Sequence, residues 1–221
     1  MLCMPEIRLK RVCEALLQYI VDDYNICIKE YNDETLSYLY LLFHEDSDDN
    51  TISGLYSQAL TIFIENNKEE NPRHIEVRPI FDPTRAGLPT IHIVVPQDSD
   101  DFNQLGDFEG GVYEKRIAPK LERGFMSQMG FIVTSENILE CLIINYTLRA
   151  LLIGSVDKLS YLGFINPKFS TQDLNIRPNV LPANVYTKGI MMSANYVDTF
   201  PAMGVFHNIN HIIFEINCIK Y

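Results

Sequence analysis

The stretch 125–154 constrains the fold more than any other part of this sequence, because strand and helix signals follow each other in it without a break. Phe131, Ile132 and Val133 are aromatic or β-branched residues, which favour a half-buried strand. Ser135 is suited to cap the N-terminus of the next helix, and Gly154 stands where a helix commonly ends. The stretch therefore predicts a strand, a short turn and a long apolar helix.

The apolar residues of this predicted helix point in several directions. A helix at the rim of a small domain shows one apolar stripe. Here Cys141, Ile144 and Leu148 interrupt the polar face, which holds Asn137, Glu140 and Arg149. We therefore expect the helix to be covered on two sides, either by its own domain or by a neighbouring subunit.

The formal net charge of −11 argues against a non-specific nucleic-acid binder, because such proteins carry a basic field. An acidic wall would still let DNA slide through a passage without holding it. The same charge suits plain solubility, so both interpretations remain open.

The five cysteines give no sign of a disulfide framework or a zinc site, because their number is odd and no C-x-x-C spacing occurs. Four lie in apolar runs and are expected to be buried thiols, namely Cys13, Cys27, Cys141 and Cys218. The first residues lack the pattern of a signal peptide, and no apolar stretch is long enough to predict a membrane span. We expect assembly in a reducing cytoplasm.

The first third of the chain predicts one clear helix and several short elements. Pro5 is expected to open a helix that ends at Asp22 and Asp23. The alternation in 25–30 predicts a strand. Residues 36–43 fit a strand or a short helix, with the strand favoured, whereas 55–64 favour a helix.

The rest of the chain predicts strands separated by long connections. Alternating segments at 75–81, 90–95, 185–194 and 210–219 indicate strands, and Pro79 places the first of these at a sheet edge or bulge. A long loop is expected at 97–116, irregular chain at 159–173, an extended arm at 165–184 and a loop at 198–208. We predict a single α+β domain over 1–221. Its antiparallel or mixed sheet is packed by the N-terminal helix and the long central helix.

Two groups of residues raise the question of catalysis. Asp82 and Glu76, near predicted strands, faintly resemble the carboxylates of a two-metal nuclease, but Arg78 and His92 stand where a lysine is required. His92 alternates with isoleucines and is expected to face solvent or a partner. His207 and His211 have a spacing that could hold a metal on a helix, but a strand start is predicted there, so no metal site is assigned.

The long loop contains features that could bind a ligand or a partner. Its glycines at 106, 110 and 111 do not follow a strand or open a helix, so a phosphate loop is not predicted. Phe102, Phe108 and Tyr113 could grip a partner or anchor the loop to its own domain. We assign no catalytic, cofactor-binding or metal-binding residue, and expect a protein that is not an enzyme.

The order of elements resembles the neck and tail-completion proteins of tailed bacteriophages. The resemblance rests on a P-x-I-x-V strand at 89–95, an N-x-L-G loop at 103–106, the strand–turn–helix stretch, and V-L-P-x-x-V-Y-T-K-x-I at 180–190. It covers about residues 70–198, as a pattern of elements and apolar positions. It is strongest for head–tail connector and tail terminator ring proteins of phages that infect gut bacteria.

The resemblance implies a structural virion protein that forms a six- or twelve-fold ring with copies of itself. Such a ring would contact portal, connector and tail proteins and surround passing DNA, with no membrane involved. Candidates for an acidic channel wall are the clusters 46–49, 69–70 and 98–101, all in predicted loops. The alternatives are a non-catalytic adaptor and a metal-dependent nuclease.

Overall fold

A five-stranded mixed sheet with helices packed on it forms the centre of the fold, which confirms the predicted α+β class. The computed structural model describes residues 4–44, 53–67, 70–85, 88–105, 120–172, 181 and 184–201. Its strands are β1 (Glu76–Arg78), β2 (Thr90–Leu105), β3 (Lys120–Ser135), β4 (Phe164–Gln172) and β5 (Tyr186–Pro201).

The strands lie in the order β1-β2-β3-β5-β4. β1 is parallel to β2, and all other neighbours are antiparallel. β1 lies at the edge of the sheet and ends directly before Pro79, as the missing N–H of proline predicted. β3 and β5 pair along their whole length, from Lys120 opposite Pro201 to Ser135 opposite Tyr186.

The described helices contact the sheet and one another. They are α1 (Pro5–Ile26), α2 (Tyr38–Phe43), α3 (Ser53–Leu60), α4 (Ile138–Gly154) and α5 (Val156–Tyr161). α4 lies against β3 and β5, while α1 lies against β1 and β2. α2 packs on α1 and α3, and α3 packs on α4. The predicted starts and ends at Pro5 and Gly154 are confirmed.

The core lies between the sheet and the helical layer. Alternate residues of the central strands point into it, as a two-residue period requires. The sheet contributes Ile91, Ile93, Met129, Phe131, Val133, Ile190 and Met192, and the helices contribute Leu9, Ile20, Leu39, Phe63, Ile144, Leu148 and Leu152.

The strand predicted at 25–30 is wrong, because the first helix continues through it. α1 runs on to Ile26 and ends in a wider π-helical turn, Cys27–Tyr31. Cys27 lies seven residues after Ile20 and so continues the buried face of the helix. Asn32, with φ 50°, stops the helix in the left-handed conformation.

The strand favoured at 36–43 is also wrong, since this segment forms α2. Two side chains satisfy the free N–H groups of its first turn. Ser37 Oγ accepts from Tyr40 N at 3.3 Å, and Asp23 Oδ2 at the end of α1 accepts from Tyr38 N at 2.7 Å. The helix favoured at 55–64 is confirmed by α3 and the π-helical turn Thr61–Glu65.

The predicted long connections are shorter than expected, because strands continue into them. β2 extends to Leu105, β4 occupies most of the segment predicted as irregular, and β5 extends to Pro201. Pairing with distant strands supplies the hydrogen bonds that hold these polar stretches extended. The remaining parts of the loop and the arm, 106–116 and most of 173–183, lie outside the described residues, as do 202–208 and the strand predicted at 210–219.

Candidate functional site

The start of α4 is capped two residues later than the sequence suggested. Asn137, and not Ser135, is the N-cap: its Oδ1 accepts from Leu139 N at 2.9 Å and from Glu140 N at 3.4 Å. Ser135 Oγ accepts from Asn137 N at 3.0 Å and donates to the Glu140 carboxylate. Ser135 thus orders the turn between β3 and α4.

Glu140 ties α4 to the turn before β1. Its side chain is 7% exposed, and its Oε2 accepts from Arg73 Nη2 at 2.8 Å. Burial of a carboxylate is costly unless it is paired and hydrogen-bonded, and Arg73 and Ser135 together meet that need. No local sequence pattern predicts this contact, because 67 positions separate the two residues.

An open depression of about 490 Å³ borders this ion pair. Its walls come from the end of α3 and the start of α4, and include Gln58, Asn66, Arg73, Asn137 and Glu140. The charged groups of Arg73 and Glu140 at this depression are already hydrogen-bonded to each other. The arrangement therefore anchors the 70–75 turn.

The face of α4 opposite the core carries a line of exposed residues, which we call the α4 stripe. It consists of Ile138, Leu142, Tyr146, Arg149 and Ile153. The exposed fractions are 52% for Ile138, 40% for Leu142, 52% for Tyr146 and 49% for Ile153. The spacing of three and four residues places all five on one side of the helix.

The flanks of α4 are covered by its own domain, as predicted. Cys141, Ile144 and Leu148 are buried on the side of α4 that packs in the core. Phe43 of α2 contacts one side of the Tyr146 ring, with the two ring centroids 5.9 Å apart, while about half of Tyr146 stays exposed. The α4 stripe is the part of this apolar helix that its own domain leaves exposed. Surfaces of this kind typically mark contact sites for other proteins.

The sheet extends well beyond the helical layer. α4 has 17 residues and spans about 25 Å, whereas β5 has 16 and spans about 50 Å. At the end of the sheet that lies away from the start of α4, the outermost described core residues are Phe125 and Tyr196. Their stacked rings have centroids 5.4 Å apart. Past them lie 101–105, 120–124 and 197–201, which we call the strand extension.

The acidic cluster 98–101 lies in β2 at the base of the strand extension, so its placement in a loop was wrong. Asp98 pairs with Ser127 and Asp100 with Phe125. The register shifts on both sides of this segment, between Val94 and Gln97 and between Asp100 and Leu105. Such irregularities and acidic residues protect an edge from unwanted strand pairing. Cluster 46–49 and Glu69 lie outside the described residues, and Glu70 is exposed.

The residues weighed as a nuclease centre do come together, but as an ion-pair network. Arg78 Nη2 donates to Glu76 Oε1 at 2.7 Å, and its Nη1 donates to Asp82 Oδ2 at 3.0 Å. The hydrogen bond to Glu76 raises the pKa of Arg78, while hydrogen bonds from Thr84 lower the pKa of Asp82. Arg78 therefore forms ion pairs with both carboxylates that would have to bind a divalent cation. Among the described residues, no three histidine, cysteine or acidic side chains are grouped to hold a metal ion.

His92 is buried, so the expectation that it faces solvent or a partner is wrong. The segment around Phe81 covers it, with the two rings 4.9 Å apart. Its Nδ1 lies 3.3 Å from Asp82 N and 3.2 Å from the Ile80 carbonyl oxygen, and its Nε2 is hydrogen-bonded to Thr134 Oγ1 at 3.2 Å. Burial lowers the pKa of His92 and keeps the ring neutral.

The three described cysteines, Cys13, Cys27 and Cys141, are free and buried, as predicted. Burial raises the pKa of all three, that of Cys141 to about 12. A thiol with a raised pKa carries little thiolate, which is the reactive form. These cysteines therefore act as core residues.

The other candidates lie outside the described side chains. They are Phe102, whose backbone belongs to β2, and Phe108, Tyr113, His207, His211, Cys218 and the glycines at 106, 110 and 111. In the described part of the chain, no helix is long and apolar enough to span a membrane.

Neither a known family model nor a curated protein sequence matches this chain.

Proposed function

We propose that this chain is a structural virion protein that forms a ring at the head–tail connector, neck or tail of a tailed bacteriophage. In this role it joins the capsid portal to the tail and lines the channel through which DNA passes. It is made and assembled in the cytoplasm of the bacterial host and becomes part of the virion.

The observation that carries this proposal is the α4 stripe, a row of apolar side chains left exposed on the most apolar helix. A ring needs heterologous contacts, in which one face of a subunit fits a different face of the next. The α4 stripe and the strand extension lie on different parts of the molecule and suit that kind of contact. The resemblance to phage ring proteins supplies the place of the ring in the virion.

The proposal predicts a homo-oligomer of six or twelve copies. Light scattering at high protein concentration, with neighbouring virion proteins added, should give a mass that is a large multiple of 25.4 kDa. Negative-stain images should show a closed ring. A lone monomer under all these conditions contradicts the proposal.

We further propose that the chain is not an enzyme. Arg78 occupies Glu76 and Asp82 through ion pairs, which favours a structural role for the three residues. Purified protein supplied with magnesium, manganese or zinc should leave DNA uncut and nucleotides intact. DNA cleavage that disappears in both Glu76→Ala and Asp82→Ala, but persists in the exposed-site variant Glu14→Ala, would favour the nuclease instead.

A further inference from the structure

The α4 stripe requires a partner that is mainly apolar and carries one acidic group. Four of its five members are apolar, and the exception, Arg149, is exposed between Tyr146 and Ile153. A cover that leaves Arg149 without a carboxylate would bury an unpaired charge, which is unfavourable.

The segment 202–221 of this chain has that chemistry. Its apolar residues alternate in the last part, and its charged residues are Glu215 and Lys220. With this two-residue period, Glu215 falls on the same face as Ile213 and Ile219. This segment can therefore supply both the apolar contacts and the single acidic group.

The direction of β5 carries the segment away from the α4 stripe of its own molecule. β5 starts at Tyr186, opposite Ser135, close to where α4 begins. It then runs past the last core residue, Tyr196, and ends in the strand extension at Pro201. Residue 202 thus starts at the far end of the sheet, beyond the helical layer.

We propose that 202–221 of one copy covers the α4 stripe of the neighbouring copy, with Glu215 paired to Arg149. This inference rests on the proposed ring, and names the surfaces that join its subunits. A segment exchanged in this way gives a heterologous contact, which a closed ring requires.

A charge exchange tests the pairing. Arg149→Glu and Glu215→Arg, each alone, should raise the protein concentration needed for half-maximal assembly by about tenfold or more. The double variant should restore assembly. Lys158→Glu, another exposed helical cation, is the matched control and should assemble normally. Circular dichroism and thermal unfolding confirm that each variant is folded.

Two further measurements identify the occupant of the stripe. A chain that stops after Pro201 should stay folded and monomeric. For crosslinking, Leu142→Cys and Ile213→Cys are placed on two differently tagged copies in which Cys3 and Cys218 are replaced by serine. Oxidation should then join the two tags.

The outcomes separate this inference from the proposed ring. If wild-type rings form and the chain ending at Pro201 forms them equally well, the inference is wrong while the ring proposal stands. The inference is also wrong if the charge exchange fails to restore assembly. It is equally wrong if the crosslink forms within one chain when both cysteines are placed on the same copy. If the wild-type protein never assembles, the ring proposal itself fails.

Discussion

At the scale of single residues, buried polar side chains hold the irregular parts of the fold in place. His92 links the segment after β1 to β3, and Glu140 links the turn before β1 to α4. Each is satisfied by partners from distant parts of the sequence. Removing one partner would leave a buried polar group without a hydrogen bond, which costs about 1–3 kcal/mol.

We predict that His92 makes stability depend on pH. Burial lowers its pKa below the usual value of 6.5 in the folded chain. As the pH falls below 6.5, the unfolded chain binds a proton that the folded chain does not, so the free energy of unfolding decreases. Asp82 and Arg78, two of the charged groups near the ring, have a lowered and a raised pKa respectively, so both keep their charges over this range of pH.

Urea unfolding at several pH values between about 7 and 5 measures this effect, since the usual histidine pKa lies in that range. His92→Asn should lower the free energy of unfolding at pH 7 by about 1–3 kcal/mol and weaken its dependence on pH. The control His44→Asn changes an exposed histidine at the end of α2 and should leave both quantities nearly unchanged. An unaltered pH dependence in His92→Asn would show that His92 is not the group responsible.

At the scale of elements, α4 has two roles on different faces. Leu148 is 1% exposed and packs in the core, whereas Leu142 is 40% exposed on the α4 stripe. The two leucines lie on one helix and within two turns, so backbone propensity is the same for both. Because they differ in burial, we expect Leu148 to contribute to folding of the monomer and Leu142 to contribute to assembly.

We predict opposite results for the same substitution at these two positions. Leu148→Ala should lower the free energy of unfolding of the monomer by about 2–5 kcal/mol, because it leaves a cavity in the core. Leu142→Ala should cost clearly less in the monomer, about 1 kcal/mol, because the side chain is only partly buried, at 40% exposed, and its loss opens no enclosed cavity. It should nevertheless weaken assembly. Equal destabilisation of the monomer by both changes would mean that the chain already covers its own stripe.

At the scale of the whole molecule, the charge of −11 and the proposed ring together predict an acidic channel. DNA carries one charge per roughly 1.7 Å of its axis, so a basic wall would hold it at many phosphates. At least one of the clusters 46–49, 69–70 and 98–101 should face the channel. A cryo-EM map of the assembled particle tests this, and a wall lined by lysine and arginine, or the lack of a channel, would contradict it.

A charge reversal tests the acidic channel in solution. Replacing Asp98 and Asp100 with lysine should make the ring retain duplex DNA, and the retention should weaken as salt is added. Asp157→Lys, at an exposed position on α5, is the control. Equal retention by the control would indicate a general effect of net charge instead of a channel wall.

The sequence by itself determined the elements whose signals are local. The apolar pattern and the glycine at 154 set α4, and Pro5 set the start of α1. Alternation indicated β2 and the first part of β5, and the aromatic and β-branched residues at 131–133 indicated the end of β3. The apolar pattern also indicated that α4 carries more apolar residues than a helix with a single buried face requires. In each case the residues that decide the outcome are close together in the chain.

Tertiary structure decided the elements that depend on distant partners. α1 continues through 25–30, where Cys27 is buried on the same face of the helix as Ile20, and Asp23 at the end of α1 helps to cap the first turn of α2. β2 and β5 remain strands through polar sequence because β3 pairs with both. The burial of His92 and the contact of Arg73 with Glu140 arise in the same way, since hydrogen bonds between distant residues leave no local pattern in a sequence.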